Sequence, residues 1–74
     1  MPHVMIKHFP ADMSEKQKRI LVEEINASIQ KALGVKENVI SISMEPVSPR
    51  DWNEQVYIPE IENKSDLLLQ KPDY

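Results

Sequence analysis

A single long amphipathic stripe governs this chain. Apolar residues recur at Leu21, Val22, Ile25, Ile29, Ala32 and Leu33, the three- and four-residue spacing that gives a helix one buried face. Ser14-Glu15-Lys16-Gln17 fits a capping box ahead of the stripe, with the Ser14 hydroxyl and the Gln17 side chain each meeting an unpaired backbone N–H. Gly34, the sole glycine, supplies the left-handed stop. The pattern predicts a helix from Ser14 to Leu33, about 30 Å long at ~1.5 Å per residue. Ile20 and Ala27 lie off the stripe, as exposed apolar residues or as a subunit contact.

Two alternating segments flank the helix. In residues 2–9, Pro2, Val4 and Ile6 fall on one face and His3, Met5, Lys7 and Phe9 on the other, the two-residue period of a strand. Pro10 has no N–H to continue a ladder. In residues 39–45, Ile40, Ile42 and Met44 alternate with Ser41, Ser43 and Glu45, and Pro46 closes the segment. Strand, long helix, strand is a βαβ unit with parallel strands and a right-handed crossover. Ser48-Pro49-Arg50-Asp51 reads as another helix start, with Ser48 as cap and Pro49 in the first turn, carrying Trp52 on a short helical turn. Pro59 opens a second helix with Ile61, Ser65, Leu68 and Leu69 on one side, ended at Lys71-Pro72, while Leu67 and Leu69 taken alone also suit a strand. The absence of repeats, linkers and low-complexity tracts points to one domain over residues 1–74, of α/β (α+β) class.

This unit does not close a core alone. At 74 residues, one core rarely supplies more than ~3–5 kcal/mol. The chain has no cysteine, so disulfides and thiolate metal sites are excluded, and His3 and His8 make a poor metal set. One helix covers one face of a parallel sheet, whereas such sheets normally have both covered, and the bare edge needs a partner. A second copy completes the sheet, so at least a homodimer is expected. Twelve acidic against nine basic residues, net charge −3, give no surplus to neutralise phosphates, so nucleic acid is not an expected partner. No apolar run reaches the ~18 residues of a membrane span, and the N-terminus lacks a secretion-signal layout. A cytoplasmic protein without membrane partners is expected.

The usual catalytic motifs are absent: no glycine-rich phosphate loop, no Cys nucleophile, no metal-ligand cluster. A serine triad would need His3 or His8 as base, and Ser41 and Ser43 read as the polar face of a strand. What remains is Pro2. Removal of Met1 leaves it a free secondary amine, the one prolyl nitrogen of the chain able to accept a proton. With Met1 attached, that nitrogen is an amide. A generic α-amino group titrates at ~7.7–8.0 and a prolyl amine is more basic, so a base at neutral pH needs its pKa lowered by burial or a nearby cation.

Met1-Pro2-His3-Val4-Met5-Ile6-Lys7, Ser14-Glu15-Lys16-Gln17-Lys18 opening a long helix, and Val39-Ile40-Ser41-Ile42 together resemble the 4-oxalocrotonate tautomerase family. Pro49-Arg50-Asp51-Trp52, Pro59-Glu60-Ile61 and Lys71-Pro72-Asp73-Tyr74 are similar to its small bacterial PptA-type branch. The likeness covers nearly the whole chain, and its specificity lies in order and spacing rather than in one motif. It implies a βαβ fold, a dimer in that branch and a hexamer in the type member. It implies keto–enol tautomerisation of small 2-oxo acids such as phenylenolpyruvate, without a cofactor. Pro2 matches the family's catalytic base. Where the type member carries two arginines, this chain has Met13 and Ser41, neither able to grip a carboxylate bidentately. A monoacid with an apolar tail therefore fits better than a dicarboxylate.

Two further residues are substrate-binding candidates. Trp52 falls at the family's aromatic pocket wall, either contacting the tail and excluding water or serving ordinary core or dimer packing. Arg50, its neighbour, either anchors the substrate carboxylate or is a solvated helix-start charge. His8 shares the Pro2 face but lies roughly 20 Å along the strand at ~3.3 Å per residue, so only a partner subunit brings it near. Two rival functions stand beside the tautomerase: a non-catalytic dimeric interaction module that kept the fold, and a related proline-amine enzyme of dehalogenase type.

Overall fold

The helix begins and ends where its capping residues dictate. In the computed structural model, which describes all 74 residues, α1 runs Glu15–Leu33. The Gln17 amide donates to Ser14 Oγ at 3.1 Å and the Ser14 amide to Gln17 Oε1 at 2.8 Å, so the box satisfies two otherwise unpaired donors. Gly34 adopts φ 66° and its N–H donates to the Gln30 carbonyl at 2.9 Å, a left-handed exit that a Cβ would strain. Asn26 on α1 is buried, and its Nδ2 donates to Glu37 Oε1 at 2.9 Å. The bond ties the helix to the turn that leads into the second strand.

The strands are β1 (His3–His8) and β2 (Ser41–Pro46), paired in parallel with His3 opposite Ser41 and His8 opposite Pro46. This register sets Val4 against Ile42 and Ile6 against Met44, so four half-buried apolar side chains share one face. The start of α1 lies on that face, where Met13, Lys18 and Met44 line a common hollow. β2 starts two residues later than its alternation predicts. Val39 donates to the Lys36 carbonyl and Ile40 to that of Glu37, forming a 3-10 turn at Glu37–Val39 that takes up the N–H groups a longer strand would need. Beyond Pro46, the Val47 amide reaches the His8 carbonyl at 2.8 Å, and Val47 is 3% exposed.

The C-terminal third departs from the two-helix expectation. Ser48 does not cap; its hydroxyl donates to Asp51 Oδ2 at 3.1 Å. From Asn53 to Glu62 the chain forms one π-helix with Pro59 inside it, rather than a short turn followed by a helix opening at Pro59. In an α-helix a proline ring collides with the carbonyl four residues back. Pro59 has no N–H to donate, so the ladder is interrupted there, and the wider turn is seen just beyond it in the Asn63 N–H bond to the Ile58 carbonyl at 2.9 Å. A short 3-10 turn follows at Ser65–Leu67. Leu68 is half-buried but Leu69 is fully exposed, so the expected common side of Ile61, Ser65, Leu68 and Leu69 does not form. The π-helix lies on the second face of the sheet, where Met5 and Lys7 line a hollow with Trp52, Val56 and Ile61. That face is thus partly covered, where one helix alone would leave it bare.

Even so, the interior stays open. Val47, Val56 and Asn26 are the only buried residues, whereas Met5, Phe9, Leu33 and Leu67 are each at least half exposed. The accessible surface is 6130 Å², against about 4,700 Å² for a compact monomer of this mass. The radius of gyration of 13.9 Å likewise exceeds the roughly 11 Å of a compact chain this long. No helix is long and apolar enough to cross a membrane.

Candidate functional site

Two regions at opposite ends of β1 carry the candidate residues. At the N-terminal end, Pro2 is half-buried, and its carbonyl accepts the Ser41 amide N–H at 3.2 Å. This bond extends the β1–β2 ladder back by one step and fixes where the prolyl nitrogen stands. His3, next in sequence, points to the opposite face, where its Nδ1 lies 2.6 Å from Ser41 Oγ. Met1 projects into solvent, 95% exposed, so its removal takes away no packing.

At the far end, all four aromatic residues of the chain gather. Phe9 and Trp52 meet edge to face with centroids 5.0 Å apart, the arrangement favoured by ring quadrupoles. The Trp52 indole N–H donates to the Tyr74 hydroxyl at 3.1 Å, and Tyr74 tilts against Tyr57 at 5.8 Å. Phe9, Trp52, Tyr57 and Tyr74, with Pro49 and Asn53, line a cleft of about 340 Å³. Beside it, Lys7 and His8 join Phe9, Trp52 and Tyr74 around a second hollow of about 550 Å³. The ensemble is an apolar surface rimmed by one amine and one imidazole, suited to an aromatic or aliphatic group bearing negative charge. The His8 ring is held by its Nδ1 contact with the Phe9 carbonyl at 2.7 Å.

Of the three residues singled out from sequence, the fold brings no two together around one cavity. Pro2 precedes β1, whereas Trp52 shares its hollows with Met5, Lys7, His8 and Phe9 further along that strand. Arg50 is exposed, makes no ion pair and lines neither aromatic hollow. Tyr57 and Tyr74 were not legible as site residues, because each reaches Trp52 only through the path of the C-terminal chain. The alternation did place Phe9 on the Met5–Lys7 face, yet nothing in the sequence paired it with Trp52, 43 positions away in chain order. The His3–Ser41 bond was equally hidden, since it depends on strand register.

A family model described as tautomerase enzyme matches residues 2–56, beginning at Pro2. Full-length likeness runs to curated relatives of similar size. Tautomerase PptA of Pectobacterium carotovorum subsp. carotovorum (strain PC1) is 35% identical over 74 residues, covering all of this chain and 97% of that protein. Tautomerase PptA of Enterobacter sp. (strain 638) is 39% identical with the same coverage. A probable tautomerase of Xylella fastidiosa (strain 9a5c) is 34% identical, covering all of this chain and 89% of its own. With the parallel βαβ unit, the capped crossover helix and proline at the head of the first strand, these matches show that the chain belongs to the tautomerase family of isomerase enzymes.

Proposed function

We propose that the protein is a keto–enol tautomerase of small 2-oxo monoacids with an apolar tail, phenylenolpyruvate-like, in which the Pro2 amine is the general base. The observation that carries this reading is the family match starting at Pro2, on a residue whose backbone is pinned by Ser41 at the end of the sheet. Once Met1 is removed, the neutral prolyl nitrogen takes the enol proton, and the resulting prolinium delivers a proton to the adjacent carbon. No cofactor enters this scheme. An apolar, water-poor surround holds the amine uncharged and strengthens whatever donors meet the developing oxyanion.

A single copy leaves Pro2 and the aromatic cleft too far apart to share a substrate. The functional unit in this reading is a homodimer, smaller than the type member's hexamer, in which Pro2 of one protomer faces the Phe9–Trp52–Tyr74 cleft of its partner. Trp52 then takes the tail of the substrate. The tautomerase name of the full-length relatives supports the same class of reaction. The test is phenylenolpyruvate ketonisation by mature protein whose intact mass shows Met1 removed. Pro2→Ala is expected to lose at least ~100-fold in kcat, the scale of a general base. Undiminished turnover by a folded Pro2→Ala protein defeats the assignment.

A further inference from the structure

A 2-oxo acid carries a carboxylate, and Lys7 is a cation without a carboxylate partner that stands beside the aromatic residues. It is half-buried on β1 and lines both hollows that Trp52 shares with that strand. The aliphatic stem of a lysine suits such an apolar setting, with the charge at its tip. Neither ion pair of the fold includes Lys7. Glu60, which lines one of the two hollows with it, is taken by Lys64 at 3.2 Å. Glu45, the register partner of Lys7 on β2, is exposed and makes no ion pair either.

The hollow shared by Lys7, His8, Phe9, Trp52 and Tyr74 measures about 550 Å³ and has no acidic side chain in its lining. That size falls within the ~300–1,000 Å³ of small-ligand sites. His8 adds no second cation in its neutral form. The Phe9 carbonyl can only accept, so His8 Nδ1, 2.7 Å away, carries the proton. Nε2 is then an acceptor and offers a carboxylate nothing. Arg50 lines neither aromatic hollow. The charge-assisted bond to a carboxylate therefore falls to Lys7, with the Phe9 and Trp52 rings beside it for an apolar tail. An ammonium is a point charge without the fork of a guanidinium, so one such group suits one carboxylate.

We propose that Lys7 binds the substrate carboxylate and is the residue that selects a monoacid in the hollow it shares with Phe9, Trp52 and Tyr74. The inference rests on the tautomerase reading for the class of ligand. Trp52 is the only tryptophan, so its fluorescence reports occupancy. The probes are 3-phenylpropionate and its uncharged amide, which share a tail and have no enol to form. Wild type is expected to bind the acid about tenfold or more tighter than the amide. Lys7→Met keeps the apolar stem; it is expected to remove that preference, leave amide affinity unchanged and raise KM for phenylenolpyruvate more than it lowers kcat. Lys71→Met, which removes a charge beside Tyr57 and Tyr74, is expected to keep the preference. Equal binding of acid and amide by wild type overturns the proposal, as does an absent Trp52 response to both. So does unchanged acid affinity in Lys7→Met, or an equal loss in Lys71→Met. If Lys7→Met loses the amide as well, Lys7→Arg decides: a retained acid preference supports the site and a lost one overturns it. A Lys7-dependent preference in a protein whose turnover survives Pro2→Ala supports the site and overturns the Pro2 reading. Pro2-dependent turnover with an unchanged KM in Lys7→Met does the reverse.

Discussion

The indole of Trp52 is gripped on two sides, by the edge-to-face contact with Phe9 and by the hydrogen bond to the Tyr74 hydroxyl. Two contacts from distant parts of the chain fix both the plane and the tilt of the ring, so the cleft wall is set before any ligand arrives. Tyr74→Phe keeps the ring and removes only the acceptor. Trp52 is the only tryptophan, and its emission is expected to change in this variant while far-UV circular dichroism stays constant. Binding of an aromatic carboxylate is expected to weaken a few-fold, in line with ~0.5–1.5 kcal/mol for one hydrogen bond. In a Trp52→Phe background the same substitution is expected to have no effect on affinity. An equal effect in both backgrounds contradicts the positioning role of Tyr74.

The elements differ in how locally they are determined. α1 carries its own start and stop, and its caps account for measurable stability. Ser14→Ala removes the oxygen that accepts the Gln17 amide and is expected to cost about 1 kcal/mol. Gly34→Ala meets no neighbouring atom but forces a Cβ into φ 66°, at a cost of about 1 kcal/mol. Each is expected to lower Tm by roughly 4–8 °C at fixed protein concentration. A Gly34→Ala melt that matches wild type rules out the left-handed cap in solution. The π-helix has no comparable local code. Trp52 precedes it without a side-chain cap, and Pro59 within it argues against any helix in an α-based reading. Its path is set instead by what it packs against, with Val56 buried and Trp52 held against Phe9.

Across the whole molecule, surface is the governing quantity. The excess over a compact monomer is about 1,400 Å², which exceeds the ~800 Å² that each partner contributes to a standard interface. The exposed apolar side chains are large ones, Met5, Phe9 and Leu67 among them, and burying each contributes roughly 1.5–3 kcal/mol. Sedimentation at micromolar concentration is expected to give about twice the 8.6 kDa chain mass, and Tm is expected to rise with protein concentration. A monomeric mass with a concentration-independent Tm excludes the shared-site arrangement, since one copy cannot bring Pro2 to the aromatic cleft.

The βαβ unit was legible because its information is local. A capping box, a left-handed glycine and two alternating segments each act within a few residues, and parallel pairing follows from joining them by one long helix. The place of Pro2 at the head of the first strand follows from the same local pattern, and its part in the chemistry is what the Pro2→Ala assay tests. The aromatic cleft, the His3–Ser41 bond and the single π-helix were not. The first two join residues that chain order keeps apart, as Trp52 and Tyr74 are by 22 positions. Strand register brings His3 to Ser41, and the wide turn over Pro59 exists because packing outweighs local propensity. The sequence alone determined the capped helix and the two alternating strands, since capping and periodicity are short-range. Only the tertiary structure decided which side chains meet, because that depends on how the finished segments fill space.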